Sequence, residues 1–249
     1  MKRALLAAAA LLFLLIGGFC AWRYYDTEIL PEKRLDQAEE KQAELFSAIR
    51  PDFTESADSA QASESPLAEA EKVNSGVVGW ITVPGTRIDQ PIAQAEDNDF
   101  YLHNGFDGNY NYEVGCPFLD YRCEADFSGF SSVVYGHHLK KGRMFSDIAL
   151  FAQKSQMEKC PVGYLTAPDG RHTVRFFAYL NVPSNAPAYH TVFVTDAERA
   201  DFLDYIFSEA RYTFGRSRAE TGTDVRLLLL STCTYEFENA RGVLVGLIE

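Results

Sequence analysis

The sequence has no Cys-x2-Cys pair, no stretch dense in lysine and arginine, and no internal repeat. The first absence removes the common zinc-knuckle frameworks, and the six-residue gap between Cys116 and Cys123 does not supply one. A zinc site is therefore not expected, and the thiol chemistry that the chain carries calls for no metal or organic cofactor. Positive charge is scarce: 23 Lys and Arg stand against 35 Asp and Glu, and the formal net charge of -12 repels a phosphate backbone. Nucleic acid is set aside as a partner. Large apolar residues are nearly missing from 51 to 68, where Ser, Ala, Asp, Glu and Thr dominate, so this stretch cannot repay the entropy of ordering and reads as a flexible acidic linker.

What is present is apolar elsewhere. With 249 residues, 47% apolar and 13% aromatic, the chain can bury a substantial core in one or two domains. Ala4 to Trp22 carries no charge and as a helix is about 29 Å long, enough to span the hydrocarbon core of a bilayer. Lys2 and Arg3 precede it and Asp26 and Glu28 follow, so the positive-inside rule places the N-terminus in the cytoplasm and the rest outside, in spite of Arg23. A cleaved signal peptide is the alternative, but no small-x-small site follows the run. The expectation is a single-pass anchor over 1–25, an extracellular helical and acidic linker over 26–75, and a folded domain over 76–249.

Within the linker, Leu35, Ala38, Leu45, Phe46 and Ile49 recur at near-helical spacing after Pro31, which predicts an amphipathic helix packing on its own domain. From Val77 onward, short apolar runs broken by turn residues predict strands near 77–83, 88–93, 114–119, 130–136, 161–167, 172–182, 225–233 and 242–248. Thr195-Asp-Ala-Glu198 is a capping box, and Phe202, Leu203, Ile206, Phe207 and Ala210 line one face of the helix that follows. A helical turn is expected over Phe145 to Phe151.

Chemistry concentrates in two segments. Cys233 follows the apolar run Val225 to Leu230, His137 and His138 follow Gly136, and Arg241 lies one hairpin beyond the cysteine. A thiol, an imidazole and a fixed positive charge are the parts of a cysteine acyl-transfer site. A lone cysteine at a strand end is more often an ordinary buried thiol, a lone histidine a hydrogen-bonded one, and Arg241 could pair with Glu236 or Glu238. Strand alternation would send His138 to the face opposite His137. Cys116, Cys123 and Cys160 are either small buried residues or hold one bridge between two of them.

Ser231-Thr-Cys-Thr-Tyr235 resembles the active-site strand of class B sortases. So do Val78-Gly-Trp-Ile-Thr-Val-Pro-Gly-Thr86, Asp97-Asn-Asp-Phe-Tyr-Leu-His103, Phe118-Leu-Asp-Tyr-Arg122 and Tyr135-Gly-His-His-Leu-Lys-Lys-Gly-Arg-Met-Phe145, in that order, over roughly 75–249. The resemblance implies a mainly β, eight-stranded sortase-like barrel with an N-terminal helical segment and a helix inserted before the active-site strand. It implies Cys233 as nucleophile, His137 rather than His138 as proton donor and acceptor, and Arg241 as the cation. Ser231 matches a position with a substrate-binding role, while Tyr135, Tyr235 and His103 read as structural. The implied activity is a membrane-anchored cysteine transpeptidase that cleaves sorting-signal peptides of surface proteins through a thioester and passes the acyl group to an amine of peptidoglycan. Hydrolysis to water and a non-catalytic binding domain are the rivals. Pilin polymerisation is less favoured, because neither a second hydrophobic anchor near the C-terminus nor an Asp-Pro-aromatic lid segment is seen.

Overall fold

The computed structural model describes residues 2–51, 65–111, 114–139, 143–234 and 236–249, the side chains of Ala4, Ala8 and Arg143 excepted. Most of the acidic linker and Tyr235 therefore lie outside the described residues. The chain forms two compact units, Met1–Glu44 and Leu45–Glu249.

In the first unit, α1 (Lys2–Tyr24) is built largely from Ala and Leu, the strongest helix formers, and exposes Leu5, Leu12, Phe13 and Ile16 among others. It is long and apolar enough to cross a membrane. A π-helical turn, Tyr25–Ile29, follows, and α2 (Leu30–Ile49) continues from it without a break, so Pro31 lies inside a helical run, where its missing amide proton removes one ladder bond, and not at the helix start the pattern suggested. The C-terminal turn of α2 belongs to the second unit. There Phe46 packs edge-on against Trp80 (6.0 Å) and Phe106 (5.9 Å), and Ile49, Leu67 and Ala70 are buried beside them, the last in α3 (Ala68–Val73). The larger unit thus starts ahead of residue 76.

Its strands are β1 (Val77–Thr82), β2 (Asp89–Ala93), β3 (Phe118–Leu119), β4 (Ser131–Tyr135), β5 (His138–Leu139), β6 (Arg143–Met144), β7 (Val162–Ala167), β8 (Gly170–Pro183), β9 (Ala210–Thr213), β10 (Leu227–Cys233) and β11 (Ala240–Ile248). Eight of them run in the order β11-β10-β4-β3-β2-β1-β7-β8, and pairing of β8 with β11 closes the barrel. The pairs β4–β10 and β2–β3 are parallel, and the other ladders of the ring are antiparallel. Two short pairings were not anticipated: β9 on β8, and the β5–β6 hairpin. The strand expected at 114–119 shrinks to Phe118–Leu119, because Gly115 takes a left-handed φ of 65° and Cys116 donates its amide to Tyr101 instead of a neighbouring strand.

The two helical segments expected beyond residue 140 fall where the pattern put them, while α3 was not anticipated. Two short helices, α4 (Phe100–His103) and α5 (Lys154–Lys159), were not anticipated either; a 3-10 helix spans Phe145–Ala152, and α6 (Asp196–Glu209) is closed by the reciprocal Thr195–Glu198 capping box. Phe202, Leu203 and Ile206 of α6 join Leu227, Leu229, Val243 and Val245 in one core cluster. The four consecutive leucines of β10 are fully buried, each contributing about 1.5–3 kcal/mol of transfer free energy. This buried strand ends at Cys233.

Candidate active site

Register alone brings two of the expected residues together. The ladder between β10 and β11 sets Cys233 directly opposite Arg241, and the parallel ladder between β10 and β4 sets Ser231 opposite Tyr135. The intervening turn is closed by Thr234, whose amide donates to the Ala240 carbonyl (3.0 Å), and by Asn239 at φ 58°, a conformation Asn tolerates better than most residues. Arg241 donates from Nη1 to the Ala240 carbonyl (3.1 Å) and lines the cleft. The alternative partner Glu236 is paired with Arg211 at 3.2 Å.

Beyond β4 the chain is tied to β10 by two further bonds: Gly136 donates its amide to the Ser231 carbonyl (3.0 Å), and Thr232 Oγ1 donates to the Gly136 carbonyl (2.9 Å). Gly136 is required by space, since a Cβ there would lie 2.5 Å from the Phe145 ring. The next residue, His137, is held at both ends. Its amide faces Met144 Sδ (3.2 Å), its carbonyl accepts from the Phe145 amide (3.3 Å), and its ring Nε2 lies 2.9 Å from the Leu102 carbonyl. A side chain at Gly115 would come within 2.8 Å of the same ring.

His137, Ser231, Cys233 and Arg241 all line one cleft of about 380 Å³, with Asn98, Leu102, Phe118, Tyr135, Ser184 and Tyr189 among its other walls. Cys233 is half-buried, whereas Ser231 and Thr232 are buried, so the thiol is the point at which the strand meets solvent. His138 does not follow the simple alternation. Strand β4 stops at Tyr135, and the His138 ring reaches the main chain of Cys233; burial keeps its pKa below the ordinary value, against that hydrogen bond.

Tyr189 is the residue that sequence reasoning missed. It sits on a 3-10 turn, Pro187–Tyr189, and its Oη is 3.0 Å from Ser231 Oγ. Burial pushes its phenol up to about 12, so at neutral pH it is a neutral hydrogen-bonding group. Its ring stacks on Tyr135 at 5.8 Å, which makes Tyr135 a cleft wall as well as a packing residue. Nothing in the aperiodic stretch around Tyr189 singles it out.

The remaining thiols are free and lie outside the cleft lining. No bridge joins Cys116, Cys123 and Cys160. Burial drives the Cys116 thiol well above its usual pKa and that of Cys123 up to about 12, which leaves both protonated and inert. Among the described residues, no cluster of His, Cys, Asp and Glu is arranged to hold a metal ion.

A closed barrel with a thiol, an imidazole and a guanidinium at one cleft defines a class, and comparison with known proteins gives the family. The chain is 31% identical over 182 residues to Sortase B of Listeria monocytogenes, covering 72% of each. It belongs to the sortase B family of cysteine transpeptidases. Among solved structures, sortase B of Clostridium perfringens superposes with a TM-score of 0.67 at 27% identity, over 72% of this chain and 97% of that one. A class B sortase of Streptococcus pyogenes involved in pilus biogenesis gives 0.64 at 27%, over 73% and 96%. No family model matches.

Proposed function

We propose that this chain is a membrane-anchored transpeptidase in which Cys233 attacks the Thr carbonyl of a sorting-signal peptide and forms a thioester. His137 gives a proton to the departing amine and then takes one from the incoming amine. Arg241 donates directed hydrogen bonds to the oxyanion or to the peptide backbone. Ser231, joined to Tyr189, contacts the peptide. The observation that carries this reading is the cross-strand placement of Cys233 and Arg241 beside His137 at the mouth of one cleft.

The acceptor in this reading is an amine of peptidoglycan. α1 anchors the enzyme with the N-terminus inside and the larger unit, which carries the 76–249 sortase domain, outside. A pilin lysine as acceptor is the second reading, favoured by the likeness to the Streptococcus pyogenes enzyme involved in pilus biogenesis. Full-length protein in detergent, mixed with a library of sorting-signal peptides and with either a peptidoglycan crossbridge amine or a pilin lysine peptide, tests these alternatives by mass spectrometry. A conjugate to the crossbridge amine is expected. Conjugation only to the pilin lysine selects the second reading, and peptide released only to water in the presence of both amines contradicts transfer.

A further inference from the structure

Behind the cleft wall lies a carboxylate that does not line the cleft. Asp120 follows β3 and its side chain is 0% exposed. Its Oδ2 accepts from Asn98 Nδ2 (3.0 Å), Tyr135 Oη (2.9 Å) and Arg122 Nη2 (2.7 Å), and its Oδ1 accepts from the Arg122 amide (3.0 Å) and Nε (2.8 Å). The same Arg122 Nη2 donates to the Tyr189 carbonyl at 3.2 Å. Burial alone would raise the Asp120 pKa, but the bonds from Arg122, Asn98 and Tyr135 outweigh it and hold the group below the ordinary carboxylate range. Asp120 is thus a buried anion at neutral pH, and each of its donors is fixed by the cost of leaving that charge unsatisfied.

Three of the residues so fixed are cleft walls. Asn98 and Tyr135 are bound directly, and Tyr189 is bound through Arg122. We propose that Asp120 is a positioning residue for peptide recognition, holding Asn98, Tyr135 and Tyr189 at the spacing that receives the sorting signal. This rests on the reading of the cleft as the peptide site. Cys233 and Arg241 are placed by strand register instead, so loosening the Asp120 cluster changes binding of the peptide and leaves the reacting groups where they are.

Asp120→Asn keeps the shape and one acceptor oxygen but loses the charge and turns an NH2 toward a group of donors. In the full-length protein in detergent, with a sorting-signal peptide cleaved by the unsubstituted enzyme, KM is expected to rise about tenfold or more while kcat stays within about threefold, the pattern of lost uniform binding. The rate of Cys233 alkylation by iodoacetamide, too small to need the walls, is expected to be unchanged. Arg122→Lys retains a cation for Asp120 but cannot also present the fork that reaches the Tyr189 carbonyl, and should raise KM about threefold. An unchanged KM in folded Asp120→Asn overturns the proposal, as does a fall in kcat or in alkylation to match the rise in KM. Should Asp120→Asn fail to fold, Arg122→Lys decides alone: an unchanged KM overturns the proposal. If the unsubstituted enzyme alkylates at Cys233 yet cleaves no peptide, the function itself is at fault and the proposal falls with it.

Discussion

The two sides of the cleft are built by different means. On one side, Cys233 and Arg241 are partners in a ladder that continues from Leu227↔Leu247 along the whole of β10, with fully buried leucines beneath. On the other, Asn98, Tyr189 and the phenol of Tyr135, whose main chain the β4–β10 ladder already places, converge on one ion pair, Asp120–Arg122, from segments far apart in the chain. A ladder is redundant, since losing one side chain leaves every backbone bond in place, whereas a cluster around a single charge fails as a unit. Chemistry placed by the ladder should therefore be removable without loss of fold, and recognition placed by the cluster should be adjustable without loss of chemistry.

The largest expected effect lies on the ladder. Cys233→Ala should lower turnover by at least about a thousandfold with thermal unfolding unchanged, as assayed by peptide cleavage and calorimetry. Next, His137→Ala should cost about a hundredfold or more in kcat, whereas His138→Ala, whose ring reaches the Cys233 main chain and does not line the cleft, should cost far less. A reversal of the two would place the wrong imidazole at the thiol. Arg241→Lys should be slowed about a hundredfold in single-turnover acylation despite keeping its charge, because an ammonium cannot present a planar fork. Near-normal acylation would show that charge alone is needed.

Across the cleft, Tyr189→Phe removes one hydrogen bond to Ser231, worth about 1 kcal/mol, so kcat/KM should fall only about fivefold. The smallest effect is on stability. Because the folded-state pKa of His138 is lowered, the unfolded chain binds more protons than the folded one below the ordinary histidine value. The contribution is whole above about pH 6.5 and is lost as pH falls toward the depressed folded pKa. Tm measured against pH should fall less steeply on acidification in His138→Gln than in the unsubstituted protein.

The ladder side was legible in the sequence and the cluster side was not. The run Leu227–Leu230, bounded by polar Ser231 and Thr232, announces a buried strand and the residue it delivers, and the hairpin spacing to Arg241 follows. The capping box at Thr195 marked α6 to within a residue. Asp120 and Arg122 were visible only as a motif, because their meaning depends on Asn98, Tyr135 and Tyr189 meeting in space. The orientation of His138 escaped because Gly136 ends the strand and resets the alternation of side chains. Strand β9 escaped because Ala210 also suits the helical face that precedes it, and only its extended ψ of 125° ends the helix.

The most direct measurement is the intact mass of the full-length protein mixed with a sorting-signal peptide in the absence of any amine acceptor. The expected result is a mass gain equal to the acyl fragment on Cys233, removed by hydroxylamine and absent from Cys233→Ala. An acyl adduct that persists in Cys233→Ala, or peptide cleavage by that variant at the normal rate, would contradict a thioester mechanism at this cleft.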